Sequence, residues 1–382
     1  GWLRMEKRIV CVVGTRPEGI KMAPLIRVLQ ERNFPVTVLS TGQHLQMLHQ
    51  SLEFFGIEAD VNLSVMEERQ TLDRVTAKVL GGVGAFLDRR PQDLVLVHGD
   101  TTTTMASALA AFYRSIPVGH VEAGLRSGDM ARPFPEEANR IITDRLSSLW
   151  FAPTEQAAAN LKNEGLPVSE GTLAITGNTV IDALKLALER KHDLCDSLRP
   201  LERFPGPLLL MTAHRRESWG EPLESICGAI VDILKQNSEV RILIPLHKNP
   251  SVRDVIRRYL ADEERAILCE PLDYPDFVWA MQRSSVILSD SGGVQEESAE
   301  LKKPLLVMRD VSERPEALET GTALLVGTNR VGIAETALRI LSDDVFRKSL
   351  LSRGANPFGS GDASEKIADV IAKFFENRQG IA

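Results

Sequence analysis

Cysteine is scarce in this chain, long apolar runs are missing, and positive charge falls short of negative. The four cysteines, Cys11, Cys195, Cys227 and Cys269, are scattered and contain no CxxC pair. That spacing argues against a disulfide framework and against a zinc site. The longest early apolar run, Ile9–Val13, is too short for a signal-peptide core or a membrane span. A cytoplasmic protein with reduced thiols and no membrane partner is expected. Net charge is −7 over 382 residues, with no polybasic footprint for nucleic acid. An anionic ligand would have to be met by local cations. There is no low-complexity tract and no short-period repeat.

What is present is an α/β rhythm. Length suggests two domains, and 43% hydrophobic with 25% charged residues suits ordinary globular ones. Short β-branched runs at Arg8–Val13, Val36–Ser40, Leu94–His98 and Val118–Val121 alternate with amphipathic stretches such as Ile20–Glu31. The rhythm restarts at Pro207–Met211, Val240–Pro245, Val286–Ser289 and Leu305–Met308. Such alternation predicts parallel, doubly wound sheets. Lys191–Pro207, with Pro200, Pro205 and Pro207, reads as an inter-domain linker. The expected layout is a Rossmann-like domain over 5–190, a second over 191–360, and a helix over 361–378.

Ligands of such sheets bind beyond the carboxyl ends of the strands, and the unusual polar motifs lie there. Gly14-Thr15-Arg16-Pro17-Glu18-Gly19-Ile20-Lys21 follows the first strand and brings Arg16 and Lys21 beside a helix start, an anion site. It is not a P-loop, because Ile20 separates Gly19 from Lys21 and Met22 replaces Ser/Thr. Asp100, in His98-Gly99-Asp100-Thr101, is either a helix N-cap or a reacting carboxylate. Glu122 ends another strand, and Glu136 and Glu137 open a helix after Pro133 and Pro135. Carboxylates that converge can divide acid and base roles. In the second half, His214, Arg215 and Arg216 follow a strand and suit a diphosphate. Pro245-Leu246-His247-Lys248 follows the next strand. Ser291-Gly292-Gly293 opens a helix with bare N–H groups, and Glu297 lies one turn on, placed to accept ribose hydroxyls. Arg314, in Glu313-Arg314-Pro315-Glu316, adds a cation.

Together these motifs resemble the non-hydrolysing UDP-N-acetylglucosamine 2-epimerases. The likeness runs from Gly14 to Gly327 through GTRPE-x-IKMAP, GDTTT, HVEAGLR, PEEANR, GNTVID (Gly177–Asp182), TAHRRES, SDSGGVQEE and ERPE. It implies a glycosyltransferase-B-like fold: two Rossmann-like domains, a central cleft holding the active site, and a C-terminal helix crossing back to the first domain. It implies no metal and no nicotinamide or other cofactor. By the same resemblance, Asp100, Glu122 and Glu136 match catalytic carboxylates, with His214 beside the leaving diphosphate. Arg16, Lys21, Arg140, Phe277 (at the uracil), Ser291, Gly292, Gly293, Glu297 and Arg314 match UDP- or substrate-binding positions. Gln43, Gln46, Arg69, Glu136, Arg215 and His247 match a site at which UDP-N-acetylglucosamine also acts as an allosteric activator. A homodimer is implied. The chain departs from the family pattern at Gly19, Leu45, Arg132 and Leu272, where Ala, Arg, a small polar residue and Gln are usual.

The implied chemistry is consistent with these side chains. C2 of the sugar has no neighbouring carbonyl, so its proton is poorly acidic. Departure of UDP from C1 resolves this, since cations and helix N–H groups can hold the leaving charge. The expectation is anti-elimination to a 2-acetamidoglucal and syn re-addition of UDP to the other face, with the domains closing on the intermediate. A 2-epimerase acting on a modified UDP-sugar, such as a diacetamido uronic acid, is the nearest alternative. A retaining glycosyltransferase, a hydrolysing epimerase and a non-catalytic UDP-sugar sensor also share parts of this pattern.

Overall fold

The computed structural model describes residues 6–42, 45–65, 67, 69–319, 322–352, 354 and 356–379, with the backbone alone at Leu45. The chain divides into two compact units, Gly1–Ala183 with Phe358–Ala382, and Leu184–Pro357. Among the described residues no helix is long and apolar enough to cross a membrane.

In the first unit the strands are β1 (Ile9–Val13), β2 (Val36–Ser40), β3 (Val61–Asn62), β4 (Leu94–His98), β5 (Val118–Val121), β6 (Leu149–Ala152) and β7 (Leu173–Ile175). They form one parallel sheet in the order β3-β2-β1-β4-β5-β6-β7. Every residue of β1, β4, β5 and β6 is buried. Helices on both faces demand this, and it is why these strands are near-continuous apolar runs rather than alternating ones, broken only by His98 at the end of β4 and by Gly119 and His120 in β5. The second unit repeats the plan with β8 (Leu208–Thr212), β9 (Arg241–Pro245), β10 (Ala266–Cys269), β11 (Val286–Ser289), β12 (Leu305–Val307) and β13 (Ala323–Leu325). Its order is β10-β9-β8-β11-β12-β13, again parallel. The order reverses between β1 and β4 in one sheet and between β8 and β11 in the other, the positions where such sheets bind ligands.

Two expectations change. The first helix spans Arg16–Glu31 and starts four residues before the apolar periodicity does, because Thr15 and Glu18 form a capping box. Lys191–Pro207 is not a free linker. It belongs to the second unit and carries a helical turn at Arg199–Glu202, anchored by buried Leu198 and Leu201. Two leucines among many charges escape a reading based on composition. The division falls instead between Ala183 and Leu184, inside the Thr179–Glu189 helix.

The last helix, Ala363–Gln379, returns to the first unit and packs on the Arg16–Glu31 helix. Asp182 accepts from the backbone N–H groups of Ala363 at 3.2 Å and Ser364 at 2.8 Å. A carboxylate at a helix N-terminus contributes about 0.3–1 kcal/mol. Arg32 bridges Glu365 at 2.6 Å and Asp369 at 2.7 Å. Those pairs are exposed and add about 0–1 kcal/mol each.

Candidate active site

In the first unit the site residues cluster around the carboxyl ends of β1, β4 and β5. Glu122 follows β5 directly in a left-handed conformation, φ 71°. A side chain seldom adopts that conformation unless its surroundings enforce it. Lys21 Nζ and Asn178 Nδ2 each donate to Glu122 Oε2 at 2.8 Å, and His98 Nε2 lies 3.4 Å from the same oxygen. Lys21 is buried, so the ammonium and the carboxylate offset each other where a lone charge would be costly. Lys21, expected at the diphosphate, meets Glu122 here.

Asp100 is not the helix cap. Thr101 caps the Thr102–Tyr113 helix, donating no ground to its neighbour: its Oγ1 accepts from Thr104 N. That leaves the half-buried Asp100 carboxylate out of the cap, and Arg140 Nη2 donates to its Oδ2 at 2.5 Å. Arg140 is 1% exposed and also donates to Glu137 Oε1 at 3.1 Å. It therefore stands behind Asp100 as a support. Glu136 is the first residue of the Glu136–Leu146 helix, four before Arg140 and so on the same face.

Glu18 was absent from the expected site, yet it joins two of its loops. Its Oε2 accepts from Gly14 N at 2.6 Å and Thr15 N at 2.8 Å, and its Oε1 from Thr101 Oγ1 at 2.5 Å and Thr104 Oγ1 at 3.2 Å. The T-x-x-E spacing marks the local half of this role; the link to Thr101 is tertiary. Arg16, half-buried, begins the same helix. Gly19 has a packing reason, since a Cβ there would come 2.6 Å from Leu48 Cδ1.

The second unit carries the residues expected to meet an anion. Asp290, 0% exposed, follows β11 and spans the switch point to β8. It accepts from His214 N at 3.1 Å, Arg215 N at 3.0 Å and Ser218 Oγ at 3.0 Å, with His214 Nδ1 at 2.9 Å. Burial alone would raise its pKa, but the His214 ring and these hydrogen bonds prevail and hold it well below the usual carboxylate range. His214 is thus aimed by its backbone and its ring together, and the imidazole stays exposed. Ser291, Gly292 and Gly293 lead into the Gly293–Leu301 helix with no side chain capping it. Arg314 donates to Glu296 and Glu313 and lies against Gly292, where a Cβ would come 2.6 Å from Glu313 Oε1. Glycine at 292 lets the guanidinium reach the helix start. Glu297 Oε2 accepts from Tyr274 Oη at 2.9 Å, and burial followed by Glu297 pushes the Tyr274 phenol well up, keeping it a donor. Phe277 sits one turn along from Tyr274 on the Tyr274–Arg283 helix, half-buried.

Of the expected activator positions, Gln43 lies outside the described residues. Gln46 and Arg69 are exposed in the first unit. In the second, Arg215 Nε donates to Asp290 O at 2.8 Å, and His247 stacks on His214 with centroids 6.5 Å apart. Leu272 is buried. Among the described residues no cluster of His, Cys, Asp or Glu is arranged to hold a metal ion.

Acid should unfold the protein through two of these groups. Asp290 and Asp144, the latter held by His120 and Arg126 against its burial, both have pKa values below the ordinary 3.8. A depressed carboxylate stabilises the fold above its unfolded pKa, and that contribution is lost as pH falls through the folded value. Thermal unfolding followed from pH 7 downward should show Tm steady to about pH 5 and falling steeply below about pH 4. A Tm unchanged down to pH 3 would contradict the assignment.

Known proteins are similar to this chain over nearly its whole length. A family model described as UDP-N-acetylglucosamine 2-epimerase matches residues 27–372. The UDP-N-acetylglucosamine 2-epimerase of Escherichia coli strain K12 is 45% identical over 371 residues, covering 95% of this chain and 98% of that protein. The UDP-GlcNAc 2-epimerase of Neisseria meningitidis, solved bound to UDP-GlcNAc, matches with TM-score 0.90 and 42% identity over 96% of this chain and 100% of that one. The Methanocaldococcus jannaschii enzyme, solved with UDP-GlcNAc and UDP, matches with TM-score 0.83 and 32% identity over 96% and 99%. The fold class is therefore the glycosyltransferase-B-like one that the motifs implied. By sequence over nearly its whole length and by the fold of its parallel-sheet units, the chain belongs to the UDP-N-acetylglucosamine 2-epimerase family, a family of isomerases.

Proposed function

We propose that the chain interconverts UDP-N-acetylglucosamine and UDP-N-acetylmannosamine by anti-elimination of UDP and syn re-addition to a 2-acetamidoglucal. The carrying observation is the pair of carboxylates at adjacent strand ends, Asp100 after β4 and Glu122 after β5, with Glu136 on the helix whose Arg140 grips Asp100. These three share removal of the C2 proton and delivery of a proton on the opposite face. The second unit supplies what the leaving UDP needs: His214, Arg314 and the bare start of the Gly293–Leu301 helix for phosphate, with Glu297 for ribose and Phe277 for uracil. Arg16 adds a further cation. The relatives solved with UDP-GlcNAc support the choice of ligand. A second UDP-N-acetylglucosamine, taken by Gln43, Gln46, Arg69, Glu136, Arg215 and His247, acts as activator in this reading.

NMR of the purified protein with UDP-N-acetylglucosamine in D2O tests it. The expected result is both UDP-sugars at equilibrium, without any acceptor, each product molecule carrying deuterium at C2. Initial rates should rise more steeply than hyperbolically with substrate if the activator site operates. Product without deuterium would end the elimination route, free N-acetylmannosamine would show a hydrolase, and turnover only with an acceptor would show a glycosyltransferase.

A further inference from the structure

The turns that carry Asp100 and Glu122 are joined underneath by a group with no part in the chemistry above. His120 lies in β5, 0% exposed. Its Nε2 is 2.8 Å from the carbonyl oxygen of Gly99, the residue before Asp100. Its Nδ1 is 2.5 Å from Asp144 Oδ1. A backbone carbonyl and a carboxylate both accept, so the ring has an acceptor facing each of its nitrogens. Asp144, also 0% exposed, uses its second oxygen on the next turn: Gly124 N donates to Oδ2 at 3.1 Å, two residues after Glu122. Arg126 Nη1 completes the set at 2.9 Å from the same oxygen. Gly99 is pinned from its other side too, its N–H donating to Val121 O at 3.1 Å.

Asp144 sits on the Glu136–Leu146 helix. Glu136, Arg140 and Asp144 recur every four residues along it and so share one face. That face holds Asp100 through Arg140, and both strand-end turns through Asp144. The left-handed backbone at Glu122 needs such constraint, since an unsupported residue would relax out of it.

We propose that His120 is a positioning residue: with Asp144 it forms a buried hydrogen-bonded pair that fixes the spacing of Asp100, Glu122 and Glu136. This rests on the epimerase reading above. Misplacing reacting groups by about 1 Å can cost about a hundredfold in rate. His120→Gln can donate to only one of the two oxygens at a time, and Asp144→Asn turns a donor toward the ring. Each variant should lower kcat about ten- to a hundredfold while KM stays within about twofold, as for an interaction acting only at the transition state. The double variant should be no slower than the slower single, because the pair acts as one unit. A purely structural role would instead lower the yield and Tm of folded protein and leave kcat per folded molecule unchanged. Should both single variants fail to fold, Arg126→Gln decides, since it removes only the outer cation; it should lower kcat about threefold or more at unchanged KM. Wild-type kcat in a folded His120→Gln protein, or in Arg126→Gln where the others do not fold, would overturn the proposal. A wild-type protein that does not epimerise would instead overturn the reading beneath it.

Discussion

Glu122→Gln should lower kcat by about 10²–10⁴-fold, and deuterium should no longer enter C2 from solvent at a comparable rate. The replacement keeps shape and removes the basic oxygen that Lys21 and Asn178 present. It also removes the negative charge facing the buried Lys21 ammonium, and breaking a buried ion pair costs about 3–5 kcal/mol of stability. The double variant Lys21→Met with Glu122→Gln separates the two effects. Removing the ammonium together with its counter-charge should recover much of the lost Tm, and the rate should remain low. UDP binding, measured by calorimetry, should persist in both variants because the groups proposed to hold UDP lie mainly in the second unit. A folded Glu122→Gln protein that turns over within fivefold of wild type would remove Glu122 from the chemistry.

Asp290→Asn should be the most damaging change in the second unit. The carboxylate accepts two backbone N–H groups, the Ser218 hydroxyl and the His214 ring without exposure to water. An amide can satisfy these donors only in part and turns its own NH2 toward the rest. Leaving a buried donor unpaired costs about 1–3 kcal/mol, so Tm should drop by several degrees. The larger effect should fall on ligand binding: with His214 and Arg215 no longer held, affinity for UDP should weaken by about tenfold or more. Serine at 218 offers a control, as Ser218→Ala removes one donor and should cost about 1 kcal/mol with UDP affinity nearly retained. Wild-type UDP affinity in Asp290→Asn would show that His214 is aimed by something else.

Much of this was legible residue by residue. β1, β4, β5, β8 and β11 could be read within a residue or two because parallel strands covered on both faces must be near-continuous apolar runs. Asp100, Glu122, His214 and Ser291 could be singled out because polar motifs directly after such runs fall where these sheets bind ligands. The Arg199–Glu202 turn was hidden because two buried leucines do not alter the composition of a charged stretch. Asp144 and Asp290 were equally hidden as individuals. Nothing local distinguishes an aspartate on a helix from one that a distant histidine will face.

The amino-acid order alone determined the layered α/β architecture, the turns that bear the polar motifs and the family to which they belong. The architecture and the turns follow from periodicity and from short-range steric and hydrogen-bonding rules; the family follows from the resemblance of the motifs themselves. Only the tertiary structure decided which charges meet. Lys21 finds Glu122 across 101 positions, Arg140 finds Asp100 across 40, and His214 finds Asp290 across 76. Those pairings depend on strand order, which brings together residues far apart along the chain, and strand order is set by the packing of whole elements rather than by any one segment.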